Sequence, residues 1–270
     1  MDSEVDREIR KEIREPRLKD KDLFEVVEEV FDRRTILAIL DLRKKKCIKT
    51  LKGVVATGKE ARVYWAKGFD GSDLAVKIYL TATAEFRKGI WKYIHGDPRY
   101  EWVASLPSHK LMAIWARKEF ANLKRMYSVG INVPEPLCVN KNVLVMRFIG
   151  ENGVRAPLLK ELYEDDELGE EIAKKIFNKV VYFIYKLYWE ARLVHGDMSE
   201  YNIMVFMGEP YIIDVSQAVK VDHPNAIQFL YRDIHNIVRF FSNEVGIEVP
   251  PAKDILELII EKKLNQDQLQ

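Results

Sequence analysis

The stretch Val194-His195-Gly196-Asp197-Met198-Ser199-Glu200-Tyr201-Asn202, with Ile212-Ile213-Asp214 soon after it, decides how this chain is read. It supplies an acid after a His-Gly turn, an amide five residues on, and a second acid at the end of a short apolar run. Such a set has a chemical use. One carboxylate can meet an attacking hydroxyl, while a second carboxylate and an amide oxygen hold Mg²⁺ against phosphates. Residues 191–194 and 211–213 read as short buried strands that would aim both acids into one cleft. The plainer alternative is two unrelated turn aspartates, a common use of that residue. Partners elsewhere in the chain argue against it.

Three apolar runs, 51–57, 61–66 and 74–79, are separated by Gly58-Lys59 and by Gly68-Phe69-Asp70-Gly71, which predicts an antiparallel meander. The third run is Ala75-Val76-Lys77-Ile78-Tyr79, and a lysine inside a buried strand is costly unless paired. A long helix is expected over 109–129, with Met112, Trp115, Glu119, Leu123 and Met126 on one stripe. Glu119 in that stripe is a carboxylate in the same predicament, so each residue supplies the partner the other lacks. The plainer alternative is a lysine that snorkels to water and a glutamate at the edge of its stripe.

Two templates compete for Gly53-Val54-Val55-Ala56-Thr57-Gly58-Lys59-Glu60-Ala61-Arg62-Val63. A P-loop would need Ser or Thr where Glu60 stands, and a helix where 61–66 reads as a strand. A hairpin loop of small residues lying over phosphates, Ala56-x-Gly58-x-x-Ala61-x-Val63, fits better.

With these residues in place, the chain resembles the RIO family of atypical serine protein kinases, of the Rio1 type. The resemblance is carried by Ala56-Thr57-Gly58-Lys59-Glu60-Ala61-Arg62-Val63-Tyr64, by His195-Gly196-Asp197-x4-Asn202, by Ile213-Asp214-Val215-Ser216-Gln217, and by Asp222-His223-Pro224 leading to Arg232-Asp233. It implies an α+β, two-lobed protein-kinase-like fold: a helical extension over 1–47, a β-meander-plus-helix lobe over 48–150, and a truncated, mainly helical lobe over 151–270. It implies that Asp197 orients the acceptor, that Asn202 and Asp214 bind metal, and that Lys77, fixed by Glu119, binds phosphate. The nucleotide-binding set it implies comprises Ala56, Thr57, Gly58, Lys59, Glu60, Val63 and Ala75, with Met146, Arg147, Ile149, Met204 and Ile213. ATP and Mg²⁺ are the expected cofactors, with Mn²⁺ as a substitute.

The family phosphorylates itself on serine, acts in small-ribosomal-subunit maturation and hydrolyses ATP through a phosphoaspartate, here Asp214. The partner implied is a pre-small-subunit ribosomal particle, with no DNA and no membrane. Ser108 and Ser105, on either side of Pro107, are the autophosphorylation candidates, Ser108 doubling as an N-cap. Two departures from the protein-kinase pattern stand out. His-Gly-Asp replaces His-Arg-Asp, and too little chain follows Asp214 for an activation segment and full peptide-binding subdomain. Arg147 stands where the family commonly has Glu.

Composition adds bounds. Of 270 residues, 47% are hydrophobic and 31% charged, with a net charge of +1, so no global charge points to a nucleic acid. Arg43 to Lys46 is a basic run, read as a solvated helix end or an RNA-facing patch. Cys47 and Cys138 are far apart without metal-ligand spacing and read as reduced thiols of a cytoplasmic protein. The segment 81–107 is expected to be a long mobile insertion with a helix around 84–93. Two other functions use similar motifs: a small-molecule phosphotransferase of the aminoglycoside- or choline-kinase type, and an ATP-gated ribosome-assembly factor with little protein kinase activity.

Overall fold

β3 (Asp73–Tyr79) is the strand around which the first half of the chain packs, and its alternation is directly visible in what each side chain touches. The computed structural model describes residues 31–80, 82–95 and 100–264. The spacing of Leu23, Val26, Val27 and Val30 predicts a helix, but these residues, the charged run before them, Thr81, residues 96–99 and the tail after Leu264 lie outside the described residues.

The meander is present. β1 (Thr50–Thr57), β2 (Ala61–Lys67) and β3 pair antiparallel, and β5 (Val143–Arg147) and β4 (Pro136–Asn140) complete a sheet of order β1-β2-β3-β5-β4. Because successive strand residues face opposite ways, Leu74, Val76 and Ile78 share one face with Val143 and Val145. Ala75, Lys77 and Tyr79 share the other. Helix α1 (Arg33–Lys44) covers the first face with Ala38, Ile39 and Leu42. Its N-cap is Asp32, whose carboxylate accepts Thr35 N at 2.8 Å, so Thr35 itself lies within the helix and is buried.

The second face is covered by α3 (Ser108–Ser128), with Met112, Trp115, Glu119, Leu123 and Met126 all buried as the spacing predicts. Ser108 does not cap it. Pro107 occupies that position, and the Ser108 hydroxyl donates to Ala82 O at 2.9 Å. Between β3 and α3 the insertion carries helix α2 (Ala84–Ile94), capped by Thr83, and a short 3-10 turn at Glu101–Ser105. Phe86, Ile90, Tyr93 and Ile94 are buried, so this part of the insertion is a packed element rather than an irregular strap.

Cys47, just after α1, and Cys138, on β4, form a disulfide with Cα atoms 6.3 Å apart. This corrects the reading as reduced thiols. The two residues are 91 positions apart, and only the folding of α1 onto the sheet brings them together.

The second half is mainly helical. Hairpin β6–β7 (Gly150–Glu151, Val154–Arg155) leads to α4 (Leu159–Glu164) and then α5 (Glu170–Trp189). On α5 Ile176, Val180, Phe183, Ile184 and Leu187 are buried, but Ile172, which shares their helical spacing, is 47% exposed in the first turn. Two short antiparallel pairs follow: β8 (Leu193–Val194) with β11 (Val219–Lys220), and β9 (Ile203–Phe206) with β10 (Glu209–Ile212). The strand expected over 191–194 is shorter than its apolar run because Arg192 takes a positive φ of 57°. Helix α6 (Ala226–Arg239) runs into a π turn at Phe240–Val245 and stops at Gly246. Helix α7 (Ala252–Ile260) ends the regular structure. Among the described residues no helix is long and apolar enough to cross a membrane.

Candidate active site

Lys77 is where the two halves of the chain meet. Its ammonium stands 2.9 Å from Glu119 Oε1 on α3 and 3.0 Å from Asp214 Oδ1 beyond β10. Tyr79, two residues along the same strand face, donates its hydroxyl to Glu119 Oε2. Burial works against the lysine's charge, but Asp214, Glu119 and Tyr79 around it raise its pKa well above that of an ordinary lysine. The two carboxylates differ. Burial raises Glu119, against the pull of Lys77. Asp214 falls below the usual range despite its burial, because Lys77 and the Ser216 hydroxyl at 3.1 Å both favour its charge. Asp214 also takes a positive φ of 55°, a strained backbone for a non-glycine residue.

The loop carrying Asp197 is anchored from below. Asp233 on α6 accepts Gly196 N at 2.7 Å and Met198 N at 2.9 Å, while Asn236 donates to Met198 O at 3.0 Å and Arg232 to Gly196 O. His195 is buried with Nδ1 accepting Asp197 N and Nε2 facing Ile213 O, both at 3.3 Å. Gly196 has φ of 80°, and a Cβ there would stand 3.3 Å from the Tyr93 ring. The glycine therefore serves two ends: it supplies the left-handed turn and lets α2 close on the loop, where Tyr93 donates to Gly196 O at 3.3 Å. Asn202 Nδ2 donates to Asp197 O at 2.8 Å, and Ile213 N donates to Asn202 O at 3.0 Å. The amide nitrogen is thus spent on the loop.

Above these groups opens a cavity of about 480 Å³, a size suited to a small-molecule ligand. Of the residues expected to hold nucleotide, Ala56, Gly58, Lys59, Glu60, Val63 and Ala75 line it from the sheet. Met146, Arg147 and Ile149 line it from the crossing between halves, and Met204 and Ile213 from the other side, with Lys77, Glu119 and Asp214 at its end. Thr57, Asp197 and Asn202 are not among the lining residues. Thr57 is exposed at the tip of β1, opposite Arg62. Asp197 nonetheless stands close enough to act on Glu60, whose pKa is raised by burial and by Asp214, with Asp197 adding to it. Ser105 and Ser108 lie outside the cavity, on the segment leading into α3.

Two site residues carried no sequence signal of their own: Tyr79 as second partner of Glu119, and Arg155, which lines the cavity with Gln217 and is tied to Glu161 at 2.5 Å. Arg147, the departure at the crossing, is balanced locally by Glu135 at 3.3 Å.

Among the described residues no three His, Cys, Asp or Glu side chains gather as a metal cluster. The oxygen donors available are those of Asp214 and Asn202, with Asp197 beside them. A hard cation such as Mg²⁺, bound through one or two carboxylates with phosphates and waters completing its shell, fits that donor set.

Residues 62–253 match the family model described as the RIO domain. The chain belongs to the RIO family. It is 40% identical over 256 residues to the serine/threonine-protein kinase RIO1 of Caenorhabditis elegans, covering 94% of this chain and 49% of that protein. It is 40% identical to the RIO-type serine/threonine-protein kinase Rio1 of Haloferax volcanii (90% of this chain, 82% of the other) and 41% identical to that of Methanocaldococcus jannaschii (88% and 79%). The chain thus spans about half the length of the C. elegans RIO relative and most of the archaeal ones. These relatives are Rio1 proteins, as the Val-Ser-Gln after Asp214 implied. Among solved structures, the Rio2 kinase of Chaetomium thermophilum matches with a TM-score of 0.52 at 23% identity (84% of this chain, 72% of that one). Its ADP/Mg²⁺–phosphoaspartate complex matches at 0.51 and 24% (85% and 70%). The RIO kinase fold, a sheet-based lobe against a helical one, is therefore the fold of this chain.

Proposed function

We propose that this RIO-family chain is an ATP- and Mg²⁺-dependent serine/threonine protein kinase. The observation that carries the reading is Lys77 held between Glu119 and Asp214 at the end of a nucleotide-sized cavity, with Asp197 and Asn202 on the adjoining loop. Lys77 contacts the α- and β-phosphates, and Asp197 accepts the proton of the serine hydroxyl as its oxygen bonds to the γ-phosphorus and ADP leaves. Asp214 and Asn202 would hold Mg²⁺, which would neutralise charge on the phosphate oxygens. Because Lys77 is charged and already placed, positioning and electrostatics provide most of the rate. We place the lobe boundary near Gly150, after an extension over 1–47.

A second outcome is specifically favoured by Asp214, whose ionised carboxylate could instead take the phosphoryl group. The related Rio2 complex contains a phosphoaspartate. Comparing Asp197→Ala with Asp214→Ala decides between them. A kinase shows acid-stable phosphoserine that both variants lose. An ATPase shows acid-labile phosphate that only Asp214→Ala abolishes.

For autophosphorylation, Ser105 is exposed with its hydroxyl on Trp102 O at 3.0 Å, whereas Ser108 must first release Ala82 O. Mass spectrometry after incubation with ATP–Mg²⁺ assigns the acceptor, and phosphate at neither serine overturns the placement. A pre-small-subunit ribosomal particle is the partner we propose from the Rio1 relationship, with the cytoplasm as the location. Co-sedimentation of the Asp214→Ala protein with such particles tests it, and failure to bind in either nucleotide state removes it.

A further inference from the structure

Helix α3 holds Asp214 twice, once through Lys77 and once through a set of bonds that leave Lys77 out. Lys118 is 2% exposed, and its ammonium donates to Ser216 O at 2.5 Å and to Ala218 O at 2.7 Å. One turn on, Asn122, also buried, donates its amide to Val215 O at 2.9 Å. Residues 118 and 122 are four apart and share one row of the helix, while Glu119 lies on the neighbouring row facing Lys77. Ala218 N closes a turn onto Val215 O at 3.2 Å, so the carbonyls of 215, 216 and 218 converge on α3.

We propose that Lys118 and Asn122 are positioning residues for phosphoryl transfer: by gripping the main chain of 215–218 they fix the direction in which the Asp214 carboxylate faces the cavity. Asp214 is in the left-handed region, sparsely populated by non-glycine residues, and such a backbone is held by the surroundings that over-determine it. Its carboxylate is held by Lys77 and Ser216, but the chain leaving it is held by the three carbonyl bonds. Lys118 Nζ also sits 4.8 Å from the centroid of the Trp115 ring, an aromatic contact separate from the carbonyl bonds. The consequence is mechanical. The helix that positions Lys77 and the segment that positions Asp214 move as one body, so the site is assembled before nucleotide arrives and needs no phosphorylated activation segment to order it.

This rests on the reading of Asp214 as the metal carboxylate, so the experiment separates the two. Mn²⁺ affinity in the presence of a non-hydrolysable ATP analogue, followed by electron paramagnetic resonance, is measured for wild type, Asp214→Asn, Lys118→Met, Asn122→Ala and Trp115→Phe. Hydrogen exchange at 215–218 is measured on the same proteins without metal or nucleotide. Lys118→Met is expected to weaken Mn²⁺ by about tenfold, as loss of an outer support to a ligand does, and to speed exchange at 215–218 while the sheet stays protected. Asn122→Ala, which deletes one bond, is expected to shift affinity by about threefold. Trp115→Phe disturbs the neighbouring packing without touching the carbonyl bonds and is expected to leave Mn²⁺ affinity unchanged. Unshifted affinity in Lys118→Met, or an equal shift in Trp115→Phe, overturns the inference. If Lys118→Met does not fold, an unshifted Asn122→Ala overturns it instead. Wild-type Mn²⁺ affinity in Asp214→Asn overturns the underlying assignment of the metal carboxylate.

Discussion

Lys77 and Asp214 are 137 residues apart in the chain and 3.0 Å apart in space. The same ammonium reaches Glu119 at 2.9 Å, so one cation serves the buried Glu119 and the partly exposed Asp214 from opposite halves of the molecule. Removing it leaves both acids without their cation. Lys77→Met is expected to cost about 3–5 kcal/mol of stability, the range for breaking a buried pair. Activity is expected to fall by roughly 10²- to 10³-fold. Urea unfolding and steady-state phosphorylation check the two effects separately, and full activity with unchanged nucleotide affinity would remove the pair from the mechanism.

The Cys47–Cys138 bridge closes a long loop, and such cross-links stabilise chiefly by restricting the unfolded chain. Reduction, or Cys47→Ser, is expected to lower stability by about 4 kcal/mol. Thiol titration of the unfolded, unreduced protein should find no free cysteine. Two titratable thiols under those conditions would contradict the bridge.

Asp233 gives the molecule a pH signature. Burial raises its carboxyl to about 6, against the pull of His195, the two amide donors and Arg232. A raised carboxylate pKa means that the fold takes up a proton on this group, so its stabilising contribution is complete below the unfolded value of 3.8 and is lost as pH rises through about 6. The stability of wild type relative to Asp233→Asn should therefore decrease by about 2 kcal/mol between pH 4 and pH 7. Urea titrations of both proteins across that range test the slope, and parallel curves would refute it.

Tyr93 ties the insertion to the catalytic loop through Gly196 O and through the Phe229 ring, with centroids 5.5 Å apart. Amides within α2 should therefore exchange slowly even without nucleotide. Tyr93→Ala should accelerate them by tenfold or more while leaving the sheet protected. Fast wild-type exchange throughout 84–94 would restore the expectation of a mobile insertion.

What could be read from the residues was what local pattern and unpaired chemistry dictate. The three strands announced themselves through apolar runs and turn residues, and Lys77 and Glu119 through the cost of burying either alone. The C. elegans and archaeal relatives bear out the family that those motifs implied. Long-range geometry was not legible. Nothing near Cys47 or Cys138 signals a partner 91 residues away. Lys118 and Asn122 looked like ordinary polar positions of a helix, because their partners are backbone carbonyls, which have no sequence identity. A cap was misplaced for a related reason: Ser108 is a good capping residue, but its hydroxyl is drawn to Ala82 O at 2.9 Å and Pro107 takes the cap position.

The bridge from Cys47 to Cys138 has a topological consequence. Every residue from 47 to 138 belongs to a closed covalent hoop that contains Lys77, Glu119 and Lys118 but neither Asp197 nor Asp214. A protease that cuts once within the hoop, at the exposed Gly71 turn or beside Trp102, leaves both fragments joined and the severed ends pinned at the sheet. A single nick there runs as an intact chain on a non-reducing gel and as two pieces only after reduction. Cuts between 138 and 197 release the fragment with Asp197 and Asp214 under either condition.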